Sequence, residues 1–364
     1  MGKKILIVSR SYHPVIAPRS FRATQLAEEF SRQGHSVTVM THKQKNFDYK
    51  NYSREKNIRI EDFVGKNWID IGKSNFLLKV IRKILNVLFL YPEIQIVPIL
   101  KKYLINERGY DLLISIAVPY PVHWGVALAK DHNPELTKVW VADCGDPFMG
   151  NKEMKIQHPF YFHFVEMWFC KKPDYLTVPI KEAINAYPVS ARKKIKVIPQ
   201  GFNFKKPNFI KDVKNEILTF GYAGLLSKDR RDPKQLFDYL LKNYNKEFRF
   251  IIYTKSLDVI KPYDELLGNK IEIRDYIPRT QLLEELCKMD FLVNFENLNK
   301  VQSPSKLIDY ALTGRPILSI KSTNMNEDIV DEFMNRNYNH KYVIGNMDDY
   351  NIKNVAEKFI RLTL

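Results

Sequence analysis

The 364-residue chain carries 57 Lys and Arg against 41 Asp and Glu, a formal net charge of +16, with 45% hydrophobic and 27% charged residues. This is globular composition, which excludes disordered, collagen-like and low-complexity classes, and at ~100–200 residues per domain the chain divides into two. Three cysteines, Cys144, Cys170 and Cys287, are odd in number and widely spaced, which argues against a disulfide framework or a CxxC metal site and fits a reducing cytoplasm.

The opening KKILIVS (Lys3–Ser9) is a nearly continuous β-branched and apolar run, the pattern of a strand buried in a parallel sheet and not that of a secretory signal. After the loop RSYHPVIAP comes RSFRATQLAEEFSRQG, a helix with apolar Phe21, Leu26, Ala27 and Phe30 and a stop at Gly34, and then the strand HSVTVMT. A polar, Lys- and Asn-rich connection runs to about Asp70. A helical stretch leads to the strand YDLLISIA (Tyr110–Ala117), the helix VHWGVALAKDH and the strand KVWVAD (Lys138–Asp143). Two more strands, DYLTVP and KIKVIPQG, have a helix between them, and the alternation reads as doubly wound α/β.

Around QGFNFKKPN the pattern stops and then restarts. EILTFGYAG (Glu216–Gly224) is a strand ending in glycine, followed by the helix DPKQLFDYLLKNY and the strands FRFIIYT and IEIRDYI. The helix RTQLLEELCKM, the strand DFLVNFE, the helix PSKLIDYALTG and the strand RPILSI complete a second Rossmann-like half. The expected domains are residues 1–200 and 201–345, with VAEKFIRL in 346–364 as a closing helix that returns to the first domain.

Charge is divided unequally between these halves. Residues 1–200 hold 31 Lys and Arg against 18 Asp and Glu, a net of +13, whereas residues 201–364 net +3. The asymmetry points to an anionic partner for the first half: nucleic acid, acidic lipid or a phosphorylated substrate. No recognised nucleic-acid module accompanies it, so nucleic acid is not expected as a partner. The segment FLLKVIRKILNVLFL (Phe76–Leu90) places Lys79, Arg82, Lys83 and Asn86 in one narrow stripe and is apolar elsewhere, the pattern of an interfacial helix or of a core helix with one exposed edge.

Chemistry is concentrated in two segments of the second half. In PSKLIDYALTGRPILSI (Pro304–Ile320), a Ser/Pro-rich loop opens a helix and Lys306 sits in its first turn, where a cation opposes the helix dipole unless an anion is bound there. Asp309 lies three residues on, nearly on the same face, suited to a ribose diol. In GYAGLLSKDRRDPKQLFDYL (Gly221–Leu240), Gly224 lets a ligand approach the backbone, and Arg230 and Arg231 suit bidentate phosphate contact. Both segments stand at carboxyl ends of strands, where open α/β sheets bind ligands, and together they describe a nucleoside-diphosphate site.

Taken together and in order, RSFRATQLAEEFSRQGHSVTVMT, ADCGDPF, KIKVIPQGFN, FGYAGLL with DRRDP, and PSKLIDYALTGRPIL resemble the GT-B glycosyltransferases, in particular the family-four group of bacterial polysaccharide and glycolipid transferases. The resemblance implies two Rossmann-like domains facing each other across a cleft, and a retaining, metal-independent reaction with no cofactor beyond its nucleotide-sugar substrate. Donor would bind to the second domain and acceptor to the first. Many members carry two glutamates seven residues apart around the donor sugar and ribose. The second falls on Asp309 and the first on Val301, while Ser303, Ser305 and Lys306 match a subgroup with an S-x-S-K approach and Glu296 is the candidate replacement. The arginine of the usual G-R-L motif falls on Leu225, moving the cationic role to Arg230 or Arg231, with Arg231 the better match.

In the first domain, the loop that often presents a histidine to the sugar reads Asp143, Cys144, Gly145, Asp146, Pro147, and Asp146 is the expected carboxylate. Catalysis is thus expected from Asp146, Arg231 and Lys306, with Gly224, Arg230, Glu296, Ser303, Ser305 and Asp309 on the donor. His13, Arg19 and Arg22 are expected at acceptor or phosphate, with no metal ligands. The expected acceptor is a polyprenyl-diphosphate-linked or other glycan, met by a cytoplasmic protein held peripherally on the anionic inner face of the plasma membrane. The competing readings are a nucleotide-sugar epimerase of the same fold and a basic nucleic-acid-binding protein.

Overall fold

The structure, a computed structural model, describes residues 2–64, 68–71, 75–151, 156–204, 214–228, 231–296 and 305–364. They divide into two compact units, residues 2–203 with 348–364, and residues 204–347.

The N-terminal unit is built on a fully parallel sheet of seven strands among the described residues: β1 (Lys4–Ser9), β2 (Ser36–Thr41), β3 (Ile58–Asp62), β4 (Tyr110–Ile116), β5 (Thr137–Asp143), β6 (Tyr175–Val178) and β7 (Ile195–Val197), in the order β3-β2-β1-β4-β5-β6-β7. Its helices are α1 (Pro18–Arg32), α2 (Tyr49–Lys56), α3 (Phe76–Phe89), α4 (Ile96–Leu104), α5 (Pro121–His132), α6 (Phe162–Cys170) and, from the chain's end, Ile352–Arg361. The apolar run of β1 is used on both faces, as a doubly covered sheet requires. Ile5 and Ile7 pack with Leu26 and Phe30 of α1 and with Val355 and Phe359 of the terminal helix, while Leu6 and Val8 pack on the side of Ile96, Leu100 and Leu104 of α4. The amide of Phe202 donates to the carbonyl of Tyr350 (2.8 Å) and that of Ile352 to Phe202 (2.9 Å), which seats the terminal helix against α1.

Two local readings change. The polar connection before Asp70 contains α2 and the edge strand β3, whose alternation of buried Ile58 and Ile60 with Arg59 and Glu61 spans five residues in a charged neighbourhood. The helix expected between β6 and β7 is two 3₁₀ turns, Lys181–Ala186 and Val189–Lys194. Pro188 separates them and holds Tyr187 extended.

The C-terminal unit repeats the plan with five parallel strands among the described residues: β8 (Leu218–Ala223), β9 (Phe248–Tyr253), β10 (Ile271–Arg274), β11 (Phe291–Phe295) and β12 (Ile317–Ile320), in the order β10-β9-β8-β11-β12. The helices α7 (Lys234–Asn243), α8 (Lys261–Leu267), α9 (Arg279–Cys287), α10 (Ser305–Thr313) and α11 (Glu327–Met334) cover its two faces, and the terminal helix is α12. Each sheet reverses its order beside its first strand, at β1/β4 and at β8/β11, and the carboxyl ends there are where loops diverge and leave room for a ligand.

Candidate active site

In the C-terminal unit, β8 is followed by Gly224, whose φ of +142° belongs to a region reserved in practice for glycine. A Cβ there would lie 3.2 Å from both Cε and Nζ of Lys306 and 3.4 Å from the Tyr222 hydroxyl. Lys306, in the first turn of α10, lies with its Nζ 3.7 Å from the centroid of the Tyr222 ring and 5.9 Å from that of Tyr310. The amine is buried and has no hydrogen-bond partner among the described residues. Burial, and then the charge of Arg231, hold its pKa well below the usual lysine range. Set against ring faces and beside Arg231, the amine keeps its donor capacity free for an anion, whose charge would hold the proton on it. Arg231 hydrogen-bonds toward the Tyr222 hydroxyl, and its backbone pairs with Ser227. Two neighbouring cations at a strand's carboxyl end form a receptor for a diphosphate.

The rings that frame Lys306 are themselves fixed. The Tyr310 hydroxyl accepts from the Ala223 amide (2.8 Å), and that of Tyr222 donates to the Leu225 carbonyl (2.8 Å). Neither tyrosine is singled out by the sequence reading. Tyr222 shares a strand face with Gly224 and Tyr310 is one turn beyond Lys306, so the periodicities of 2 and 3.6 were the available signals.

Asp309 lies nearby on α10. Its Oδ1 accepts from Nε (3.0 Å) and Nη2 (2.5 Å) of Arg279 at the head of α9, while Oδ2 takes no hydrogen bond among the described residues. Burial raises the Asp309 pKa and Arg279 pulls against that rise. Glu296 follows β11, accepts from the Ser319 hydroxyl (3.1 Å) and borders a cavity of about 270 Å³ with Ser319, Lys321 and Asn324. Arg230 and Ser303 lie outside the described residues, and Ser305 opens α10.

In the N-terminal unit, Asp143 at the end of β5 is buried and fully engaged. It accepts from Arg22 Nε and Nη2 (3.0 Å each) and from the Thr177 hydroxyl (2.7 Å). Burial alone would raise this carboxyl's pKa, but the charge and hydrogen bonds of Arg22, helped by Arg19, bring it below the usual aspartate range. Arg22 also donates to the carbonyls of Pro199 (2.5 Å) and Ile198 (3.3 Å). Being 2% exposed, it joins α1 to β5 and to the segment after β7, and this internal role replaces the expected phosphate contact.

Arg19 differs from it. Its guanidinium lies against Gly145, where a Cβ would come within 2.4 Å of Cζ, and it reaches Asp143 only at 3.9 Å. It forms no hydrogen bond among the described residues, since Asp143 is already occupied by Arg22 and Thr177. The backbone of Asp146 is held by the Tyr120 hydroxyl on its carbonyl (2.9 Å), and the same loop is held by Glu166, which accepts from the Met149 amide (3.2 Å). The Asp146 side chain is half-buried. His13 stacks on Tyr52 (4.8 Å between centroids) and meets Phe47 edge-on (4.9 Å), and burial lowers its pKa, which keeps the ring neutral at pH 7.

No protein-family model matches the chain, and no curated protein matches it in sequence. Solved structures match it over its whole length. A glycosyltransferase from Rickettsia africae ESF-5 superposes with a TM-score of 0.63 at 12% identity, over 100% of this chain and 98% of that one. The lipopolysaccharide outer core galactosyltransferase WaaB gives 0.57 at 15% identity, over 98% and 95%. An S. aureus TarM mutant in complex with fondaparinux, alpha-GlcNAc-glycerol and UDP gives 0.56 at 12% identity, over 100% and 93%. Two parallel Rossmann-like sheets of this kind define the fold of the GT-B glycosyltransferases, and that is the fold of this chain.

Proposed function

We propose that the chain is a glycosyltransferase that moves a sugar from a nucleoside-diphosphate donor to a glycan acceptor, with retention and without a metal. The observation that carries this reading is the buried Lys306 amine, unpartnered among the described residues, beside Arg231 at the carboxyl end of β8. Departure of a nucleoside diphosphate builds negative charge, and preorganised cations in a dry site neutralise it more effectively than water. Lys306 and Arg231 are assigned to the diphosphate, Asp309 Oδ2 to the ribose and Glu296 to the donor sugar. UDP in the related TarM complex supports a uridine nucleotide as the first donor to try. Asp146 is the proposed carboxylate of the N-terminal unit, with Arg19 as its acceptor-side cation. The surface-glycan acceptor is supported by the lipopolysaccharide transferase among the structural relatives. A polyprenyl-diphosphate-linked glycan, met on the cytoplasmic side of the plasma membrane, is the proposed form.

The test is calorimetric titration of the full chain with UDP and GDP, together with nucleoside diphosphate release from a panel of nucleotide sugars. Binding of one nucleotide by the wild type and its loss in Lys306→Ala are expected. Equal affinity in both proteins would remove the site, and sugar interconversion without transfer would favour the epimerase.

A further inference from the structure

Helix α3 has ten apolar residues among its fourteen and buries none of them fully. Its ends are well made: the Asn75 side chain accepts from the Leu78 amide (2.8 Å), and Leu90 closes it in the left-handed conformation (φ 56°). The exposure is therefore a property of a formed helix. Phe76, Leu77, Val80, Ile81, Ile84 and Leu88 are open to solvent on one side, with Phe76 82%, Leu77 65% and Ile84 51% exposed, and Phe89 (55%) is exposed at the last turn, outside their arc. At 100° per residue these six positions fill an arc of about 140°.

The cations of the sequence stripe separate in the structure. Arg82 turns inward to pair with Asp70 and the Ile71 carbonyl, and Asn86 donates to the Tyr91 carbonyl. Lys79 and Lys83 stay exposed along one edge of the apolar arc, with no partner among the described residues. A second element extends the patch: the Tyr161 hydroxyl bonds to the Leu88 carbonyl, which brings Phe160 (78% exposed) and Phe164 (64%) to the end of α3.

We infer that this face, α3 with Phe160 and Phe164, docks on an anionic lipid surface. The occupant is argued from charge. The apolar arc is edged by exposed lysines on a half-chain of net +13, which repels a second copy and attracts acidic headgroups. The helix lies in the interface and does not cross it. Fourteen residues reach ~21 Å, short of the ~30 Å hydrocarbon core, and the following α4 has Ile96, Leu100 and Leu104 completely buried in the protein core. The surface rests on the lipid-linked acceptor reading for its purpose, but its binding is measured without donor or acceptor.

The test is co-sedimentation of the full chain with phosphatidylcholine vesicles, with and without phosphatidylglycerol as a third of the lipid, at low and high salt. Binding is expected on the acidic vesicles and is expected to fall with salt. Leu77→Glu with Ile84→Glu should weaken it by about tenfold or more, as should Lys79→Glu with Lys83→Glu, since each basic residue at such a surface contributes about fivefold. Leu88→Trp should show a blue-shifted emission on acidic vesicles. UDP binding, measured without lipid, should be unchanged in all these variants, so failure of the donor site and failure of the docking surface read out separately. Wild-type affinity in the Leu77/Ile84 variant would overturn the proposal, as would binding indifferent to lipid charge and salt. So would self-association without vesicles that the Leu77/Ile84 variant abolishes, which would assign the face to a second copy.

Discussion

Replacing Lys306 by methionine keeps the aliphatic stem and removes the charge, so its effects on stability and on binding should have opposite signs. In the unliganded protein the Nζ is buried over Tyr222 and has no hydrogen-bond partner among the described residues. An unsatisfied buried polar group costs about 1–3 kcal/mol, and more when charged. Lys306→Met should therefore raise unfolding free energy by about that amount in the absence of ligand. The pH dependence follows from the lowered folded-state pKa. Between that value and the unfolded-state value of about 10.4, the unfolded chain holds a proton that the folded chain releases, so wild-type stability rises with pH across this window and the variant loses the slope. With nucleotide the order reverses. A ligand at a hundred times its Kd stabilises the wild type by about 2.7 kcal/mol, and the variant should gain almost nothing. Turnover should fall by roughly a hundredfold for the loss of one charge-stabilising donor. Urea unfolding with and without UDP, repeated between pH 7 and 10, measures all of this. A variant less stable than the wild type without ligand would refute the reasoning, because it would mean that the amine is stabilised by a partner in the folded protein.

Asp309→Ala should raise the Michaelis constant for the nucleotide sugar more than it lowers turnover, since a ribose contact is nearly the same in ground and transition states; an unchanged constant in steady-state kinetics would take Asp309 out of the site. Arg22→Met leaves buried Asp143 without its two strongest bonds and should cost about 3–5 kcal/mol in urea unfolding, whereas Arg22→Met with Asp143→Leu should recover part of that loss. Burial raises the pKa of Glu166 to about 7. Between the unfolded-state value of about 4.3 and that raised value the folded chain holds the extra proton, so wild-type stability falls as pH rises through this window. Glu166→Gln should flatten the profile and be more stable than the wild type at pH 8, by roughly 3 kcal/mol; a parallel pair of curves would exclude Glu166 as the titrating group.

Much of this protein is written in local pattern. The apolar run of Lys4–Ser9, the glycine at position 224 ending a strand and the lysine in the first turn of α10 each state their structure within a few residues, because strand and helix periodicities and helix-end electrostatics act over that range. They were sufficient for two Rossmann-like halves and for setting Gly224 and Lys306 at strand carboxyl ends of the second. Pairings between distant residues were not legible in this way. Arg22 reads as a contact to acceptor or phosphate until β5 brings Asp143, 121 residues on, against it. Asp309 reads as open until α9 presents Arg279. The segment Phe76–Phe89 fits a core helix and an interfacial helix equally well in sequence. Tertiary structure chose between them: α4 took the place in the core, Arg82 turned inward to Asp70, and the apolar arc of α3 was left outside. Periodicity specifies that a face is apolar, but what covers that face is decided by which other elements reach it.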